Sequence, residues 1–113
     1  MNLLAKVIQL EAGGYSDKAL IAVGNVVLNR VKSKGFPNTL NGVIYQKGQF
    51  SVVRSKRWKN LNPSKAALRC AKKALDGECV VAKNVLYFKC KSSNKKWGNH
   101  IYVTTIGDNM FYR

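Results

Sequence analysis

From Ala19 to Leu28 the chain runs for ten residues with Asn25 as its only polar side chain. A helix built on such a stretch has no face to give to water, so it belongs at the centre of whatever folds around it. The run sits inside a longer helical pattern: Ala19, Leu20, Val23, Val26, Val27, Arg30 and Val31. Its ends are punctuated too. Ser16 is a good N-cap and Asp17 suits the first turn, while Lys34-Gly35 and then Pro37-Asn38 close the segment. The remainder of the chain has to wrap this helix.

Residues 2–11 read as a shorter helix, with Leu3, Leu4, Val7, Ile8 and Leu10 on a rough i, i+3, i+4 face. Gly13-Gly14 stops it and leaves Glu11 at or near its C-terminal end. Leu40 to Tyr45 offers one or two helical turns, residues 47–51 a loop or short strand, and residues 54–60 a basic segment around Trp58. Asn62-Pro63 predicts the start of a third main helix, Asn as N-cap and Pro at the first helical position. Its apolar face is Ala66, Ala67, Cys70, Ala71, Ala74 and Leu75, and Gly77 ends it. The period then changes. Residues 84–89 and 100–106 are rich in β-branched and aromatic side chains, and a polar loop holding Trp97 separates them. The fold class is α+β, with helices in the first two-thirds and a small antiparallel sheet in the last third. At 113 residues and 46% hydrophobic content, residues 1–113 make one domain around one modest core.

Twenty Lys and Arg against five Asp and Glu give a net charge of +15. A surface this basic seeks polyanions: nucleic acid, an anionic membrane surface, or a bacterial wall with its carboxylates and phosphates. Charge does not choose among them. No stretch approaches the ~20 apolar residues of a membrane span. The N-terminus has no basic leader region, and Lys6 interrupts its apolar run, so no signal peptide is expected. Cys70, Cys79 and Cys90 form no CxxC pair, and His100 alone cannot complete a zinc set, so neither metal nor cofactor is expected. The cysteines read as thiols, or as one optional disulfide and a spare. His100 has no obvious acidic partner for a triad, and no GxxxxGK phosphate loop exists.

That leaves the acids: Glu11, Asp17, Asp76, Glu78 and Asp108. Glu11 closes an apolar helix, where the negative pole and any burial both favour the neutral acid. A glycosidase needs such an acid, still protonated near neutral pH, to give its proton to a leaving oxygen. An exposed glutamate ending a helix fits the same residues equally well. A second carboxylate is hard to find, since Asp17 suits a helix start, Asp76 and Glu78 flank Gly77, and Asp108 lies in a turn. Aromatic rings stack on pyranose faces, and the chain has many. Most belong to core and sheet. Trp58 and Trp97, set among lysines and arginines, are expected at a surface or groove edge.

Several segments together resemble a known family: Glu11-Ala12-Gly13-Gly14, Ala22 to Val31 (AVGNVVLNRV), Phe36-Pro37-Asn38-Thr39 and Gly48-Gln49-Phe50-Ser51. The chain is similar to the SleB-type, spore-cortex-lytic cell-wall hydrolases, also found in bacteriophage lysins. Tyr87-Phe88, Lys96-Trp97 and the run from Ile106-Gly107 to Phe111-Tyr112 agree with this, in order and over nearly the whole chain. The resemblance implies a compact lysozyme-like domain that cleaves peptidoglycan glycan strands without a metal, by a lytic transglycosylase or muramidase route. It implies Glu11 as catalytic acid. Around the groove it implies Gly13, Gly14, Tyr15, Gln49, Phe50, Ser51, Tyr87, Phe88 and Trp97. Family members often carry a second Glu where this chain has Tyr15, and a His where it has Asn109, so one carboxylate and one structural hydrogen bond are expected to be lost. The implied partners are peptidoglycan and anionic wall polymers, with no specific nucleic acid and a monomeric state. Delivery to the wall is then expected from the cytoplasm by another route, such as phage lysis. The alternative is a basic wall- or nucleic-acid-binding module that has lost catalysis.

Overall fold

A helix apolar on every side needs neighbours on every side, and the fold supplies them. A computed structural model describes residues 2–46, 50–93 and 98–113, with the backbone alone for Ser51 and Val52. The elements are α1 (Asn2–Ala12), α2 (Asp17–Val31), α3 (Leu40–Ile44), a 3-10 turn (Ser51–Arg54), α4 (Lys56–Asn60), α5 (Lys65–Leu75), β1 (Tyr87–Cys90), β2 (Tyr102–Ile106) and β3 (Asn109–Tyr112). α2 is the hub, packed against α1, α5 and α3. Leu4, Val7 and Ile8 of α1 and Ala67, Cys70, Ala71 and Ala74 of α5 close over its buried run from Ala19 to Val27. At Gly24 both α1 and α5 come close to the backbone of α2. A β-carbon there would stand 3.1 Å from Ile8 Cδ1 and 3.2 Å from Ala74 Cβ.

The polar residues of α2 hold the chain that leads to the sheet. Asn25, 3% exposed, donates from Nδ2 to the Glu78 carbonyl at 2.8 Å and accepts the Val80 N–H at 2.7 Å. One turn on, Asn29 Nδ2 reaches the carbonyls of Ala82 (3.0 Å) and Val85 (3.1 Å). Arg30 Nε donates to the Leu86 carbonyl at 2.6 Å. This row converts an irregular connection into a fixed one by satisfying its backbone groups.

The sheet order is β1-β3-β2, antiparallel throughout. β3, at the chain's end, is therefore the central strand. Cys90 pairs with Asn109 and Tyr87 with Tyr112 on one side, and Ile106 pairs with Asn109 on the other. The pattern 84–89 and 100–106 narrows to strands at 87–90 and 102–106, because ladder pairing, not side-chain type, sets strand ends.

Two expectations need correction. The third main helix is capped by Ser64, not Asn62: the Ser64 side chain accepts the Ala67 N–H at 3.1 Å, and Pro63 stands outside the helix. Of the segment read as a loop or short strand, Ser51 opens a 3-10 turn. Trp58 is 4% exposed and lies in the core, not at a groove edge. The basic residues beside it point outward from α4 while its ring turns in, edge-on to Tyr45, with Nε1 donating to the Tyr45 hydroxyl at 3.2 Å. Lys6, which breaks the apolar run of α1, sends its ammonium to the Trp58 carbonyl at 3.0 Å. All three cysteines are free thiols.

Candidate active site

α1 ends one residue beyond Glu11, and its last turn is tied to β3 by a hydrogen bond. Leu4, Val7 and Ile8 anchor the helix in the core, which leaves the Glu11 side chain partly buried. Burial alone raises its carboxyl above the ordinary 4.5, because the charged form loses water that nothing replaces. Among the described residues no side chain or backbone group bonds that carboxyl. Its main-chain carbonyl is held instead: Asn109 Nδ2 donates to it at 3.1 Å. At the position where a structural hydrogen bond was expected to be lost, Asn109 makes one of its own.

The glycines after Glu11 divide in role. Gly13 donates its N–H to the Gln9 carbonyl at 2.9 Å, and a β-carbon there would stand 2.4 Å from that same oxygen. Its smallness closes the helix rather than admitting a ligand. Gly14 is exposed, with φ of +92° and nothing within 4 Å of the position a β-carbon would take. Tyr15, 48% exposed, leans its ring on the bare backbone of Gly107 in the β2–β3 turn, where a β-carbon would meet Tyr15 Cδ1 at 3.1 Å. Gly107 also has φ of +62°, which a side chain tolerates poorly. Glu11 and Tyr15 thus flank the same turn.

The other predicted aromatics gather at the opposite end of the β1–β3 ladder. Tyr87 is three residues from Cys90, hence about 10 Å along the strand from Asn109's partner. Its ring stacks on His100 with centroids 3.8 Å apart and tilts against Phe36 at 6.0 Å. Beneath lies Arg30, 2% exposed, its guanidinium 4.8 Å from the Phe36 ring, 5.3 Å from Phe50 and 5.5 Å from Tyr87. Burial lowers its pKa to about 10, still cationic at neutral pH. Phe50 is 5% exposed and Phe88 is partly buried, and each rests on its neighbour in a row ending at Phe111. Phe50 therefore supports the wall from within. Gln49 and Trp97 lie outside the described residues, as does the Ser51 side chain. Sequence reasoning did not single out Arg30 for this region, and it marked Asn109 only as a position where a hydrogen bond is expected to be lost. Arg30's signal was a cation in an otherwise apolar run; Asn109's was its departure from the His that family members often carry there.

The remaining acids are engaged elsewhere or exposed. Arg69 Nη2 bonds both Asp17 carboxylate oxygens, at 2.8 and 3.0 Å. Asp76 pairs with Lys72 at 2.9 Å. Asp108 Oδ2 accepts the Cys90 thiol at 2.7 Å. Glu78 is exposed, and its carbonyl is tied to Asn25, about 12 Å along α2 from that helix's first residue. No second carboxylate is offered to Glu11. Among the described residues no group of metal-binding side chains assembles. A separate cavity of about 710 Å³ lies between α2, the end of α5 and the connection to β1, walled by Leu28, Leu75 and Leu86 with Lys32 and Lys83 beside them. None of the predicted site residues lines it.

What this arrangement can do chemically is donate one proton, from a carboxyl whose pKa burial raises, beside an exposed tyrosine and an open glycine. Comparison with known proteins identifies the family of the chain. The Cell Wall Hydrolase family matches residues 14–112. The spore cortex-lytic enzyme of Bacillus cereus is 31% identical over 112 residues, covering 98% of this chain and 43% of the relative. That of Bacillus subtilis is 28% identical, covering 98% and 36%. The chain thus spans about two-fifths of the length of the curated relatives it matches. Two solved structures superimpose closely. The catalytic domain of the germination-specific lytic transglycosylase SleB from Bacillus anthracis gives a TM-score of 0.89 at 27% identity, covering 99% of this chain and 92% of that one. The catalytic domain of the Bacillus cereus SleB protein gives 0.87 at 28% identity, covering 99% and 88%.

Proposed function

The chain belongs to the cell wall hydrolase family, and from that premise we propose that it cleaves peptidoglycan glycan between N-acetylmuramic acid and N-acetylglucosamine, with Glu11 as its one catalytic carboxyl. The observation that carries this reading is the state of Glu11: raised by burial, bonded by no other described residue, and without a second carboxylate beside it. Two-carboxylate hydrolysis needs an acid and a partner across the sugar. One carboxyl suffices when the sugar supplies its own nucleophile.

Glu11 gives its proton to the glycosidic oxygen, the C1–O bond breaks, and positive charge develops on the muramic ring. The C6 hydroxyl of that sugar then attacks C1 and returns its proton to the Glu11 carboxylate. The acid is regenerated, and the product is a 1,6-anhydro sugar. Capture by water at the same step gives a reducing end instead. Tyr15 and the open face at Gly14 are suited to receive the sugar next to the acid, and the Tyr87–His100 stack to hold the strand farther along. Phe50 supports this wall, and we keep Gln49, Ser51, Phe88 and Trp97 as groove positions on the family resemblance alone.

Mass spectrometry of the fragments released from purified peptidoglycan tests this directly. Anhydro-muramic ends, one water lighter than reducing ends, are expected from the wild type and none from Glu11→Gln. If Glu11→Gln releases fragments at the wild-type rate, Glu11 is not the acid. If the wild type releases none but binds walls, the chain is a binding module.

A further inference from the structure

We propose that Asn109 is a positioning residue for Glu11, an inference that rests on Glu11 being the acid. Glu11 lies in the last turn of α1, so its carbonyl is among those that the helix leaves without a partner. Asn109 Nδ2 fills that need at 3.1 Å across 98 residues of chain. The donor is well anchored. Asn109 is 3% exposed, opens the central strand β3, and pairs with Cys90 on one side and Ile106 on the other.

The turn that delivers Asn109 is fixed on its other side as well. Gly107 packs against Tyr15 and Ala19, just beyond the glycines that follow Glu11. Asp108 is tied to β1 through the Cys90 thiol at 2.7 Å and through its carbonyl, which accepts the Lys91 N–H at 2.9 Å. The β2–β3 turn therefore grips the α1–α2 corner from both flanks of Gly13-Gly14, and Asn109 is the contact on the side of the acid. With the donor removed, the carbonyl must turn to water or stay unpaired. The end of α1 then opens, water reaches the Glu11 carboxyl, and both its aim and its acidity change.

The test compares the full chain with Asn109→Leu, which keeps the size but loses the donor, and Asn109→His, whose ring N–H falls near the place of the amide nitrogen. Glu11 is titrated by carbon NMR in each, turnover is measured on soluble glycan strands, and thermal melts report folding. Asn109→Leu is expected to lower kcat about ten- to a hundredfold with KM changed less than about twofold, since aim and not affinity is lost. Its Glu11 carboxyl titrates below the wild-type value, the alkaline limb of the pH profile moves down with it, and Asn109→His restores both. Should Asn109→Leu fail to fold, Asn109→Ser, which ends short of the carbonyl, takes its place. A folded donorless variant with wild-type Glu11 titration and kcat overturns the proposal. So does a loss of activity that tracks melting temperature with the titration unmoved, which marks a merely structural role. The titration reads positioning even if no glycan is cleaved, so failure of the proposed function and failure of this inference give different results.

Discussion

At the scale of single residues, the fold spends stability on Glu11. Below the ordinary carboxyl value of 4.5, folded and unfolded chains both carry the neutral acid, and the site costs nothing. As pH rises the unfolded chain ionises first, and the folded state is penalised until the raised folded carboxyl ionises too. Glu11→Gln removes that penalty. The variant is expected to melt above the wild type at neutral pH, with the difference closing below about pH 4.5, as calorimetry across pH will show. With Glu11 as the proposed acid, the same substitution is expected to lower turnover by about a hundred- to ten-thousandfold, the usual weight of a general acid. Gain of stability with loss of activity is the signature of a residue kept for chemistry. Trp58 is the opposite case. Its basic neighbours made it look like a surface residue, and its burial follows from a one-sided helix too short to reveal a period. Trp58→Ala is expected to cost roughly 3–5 kcal/mol in chemical denaturation, as for any buried aromatic.

At the scale of elements, caps and stitches decide what the patterns leave open. The Ser64 cap lies two positions beyond Asn62, the expected one, and only Ser64 bonds the helix. Ser64→Ala is expected to cost about 1 kcal/mol of stability and Asn62→Ala much less, a contrast that paired denaturation curves resolve. The polar row of α2 has a comparable role over a longer distance. Asn25→Leu leaves the Val80 N–H and the Glu78 carbonyl without their partner, at about 1–3 kcal/mol for the buried group. Hydrogen exchange is expected to rise first in residues 78–86, the segment that the row holds. These contacts also give physical content to the run from Val23 to Val31. Its apolar members fill the core, and its Asn and Arg members fix the approach to β1.

At the scale of the whole molecule, the charge of +15 is barely neutralised. Among the described residues two ion pairs form, Asp17 with Arg69 and Asp76 with Lys72, both exposed. Arg54, Lys56, Arg57 and Lys59 stand exposed together around α4. We propose that this surface holds the protein to anionic wall polymers. Binding to purified walls is then expected to fall steeply as salt rises from 0.01 to 1 M, over which the screening length shrinks from about 30 to about 3 Å. Salt-independent sedimentation with walls will refute it. Among the described residues no helix is long and apolar enough to cross a membrane.

The sequence by itself determined the central helix, the helical first two-thirds and the sheet in the last third, because these rest on local periodicity and on punctuation by Ser16, Gly13-Gly14 and Gly77. It also marked Glu11, because the end of an apolar helix is a local fact. Tertiary structure alone decided that the terminal strand lies at the middle of the sheet, and that Asn109 thereby meets Glu11 across 98 residues. It alone decided that Tyr15 rests on Gly107, and that Arg30 lies under Phe36, Phe50 and Tyr87. Strand order and contacts between distant segments depend on which surfaces the packed helices leave for the sheet. No window of neighbouring residues carries that information.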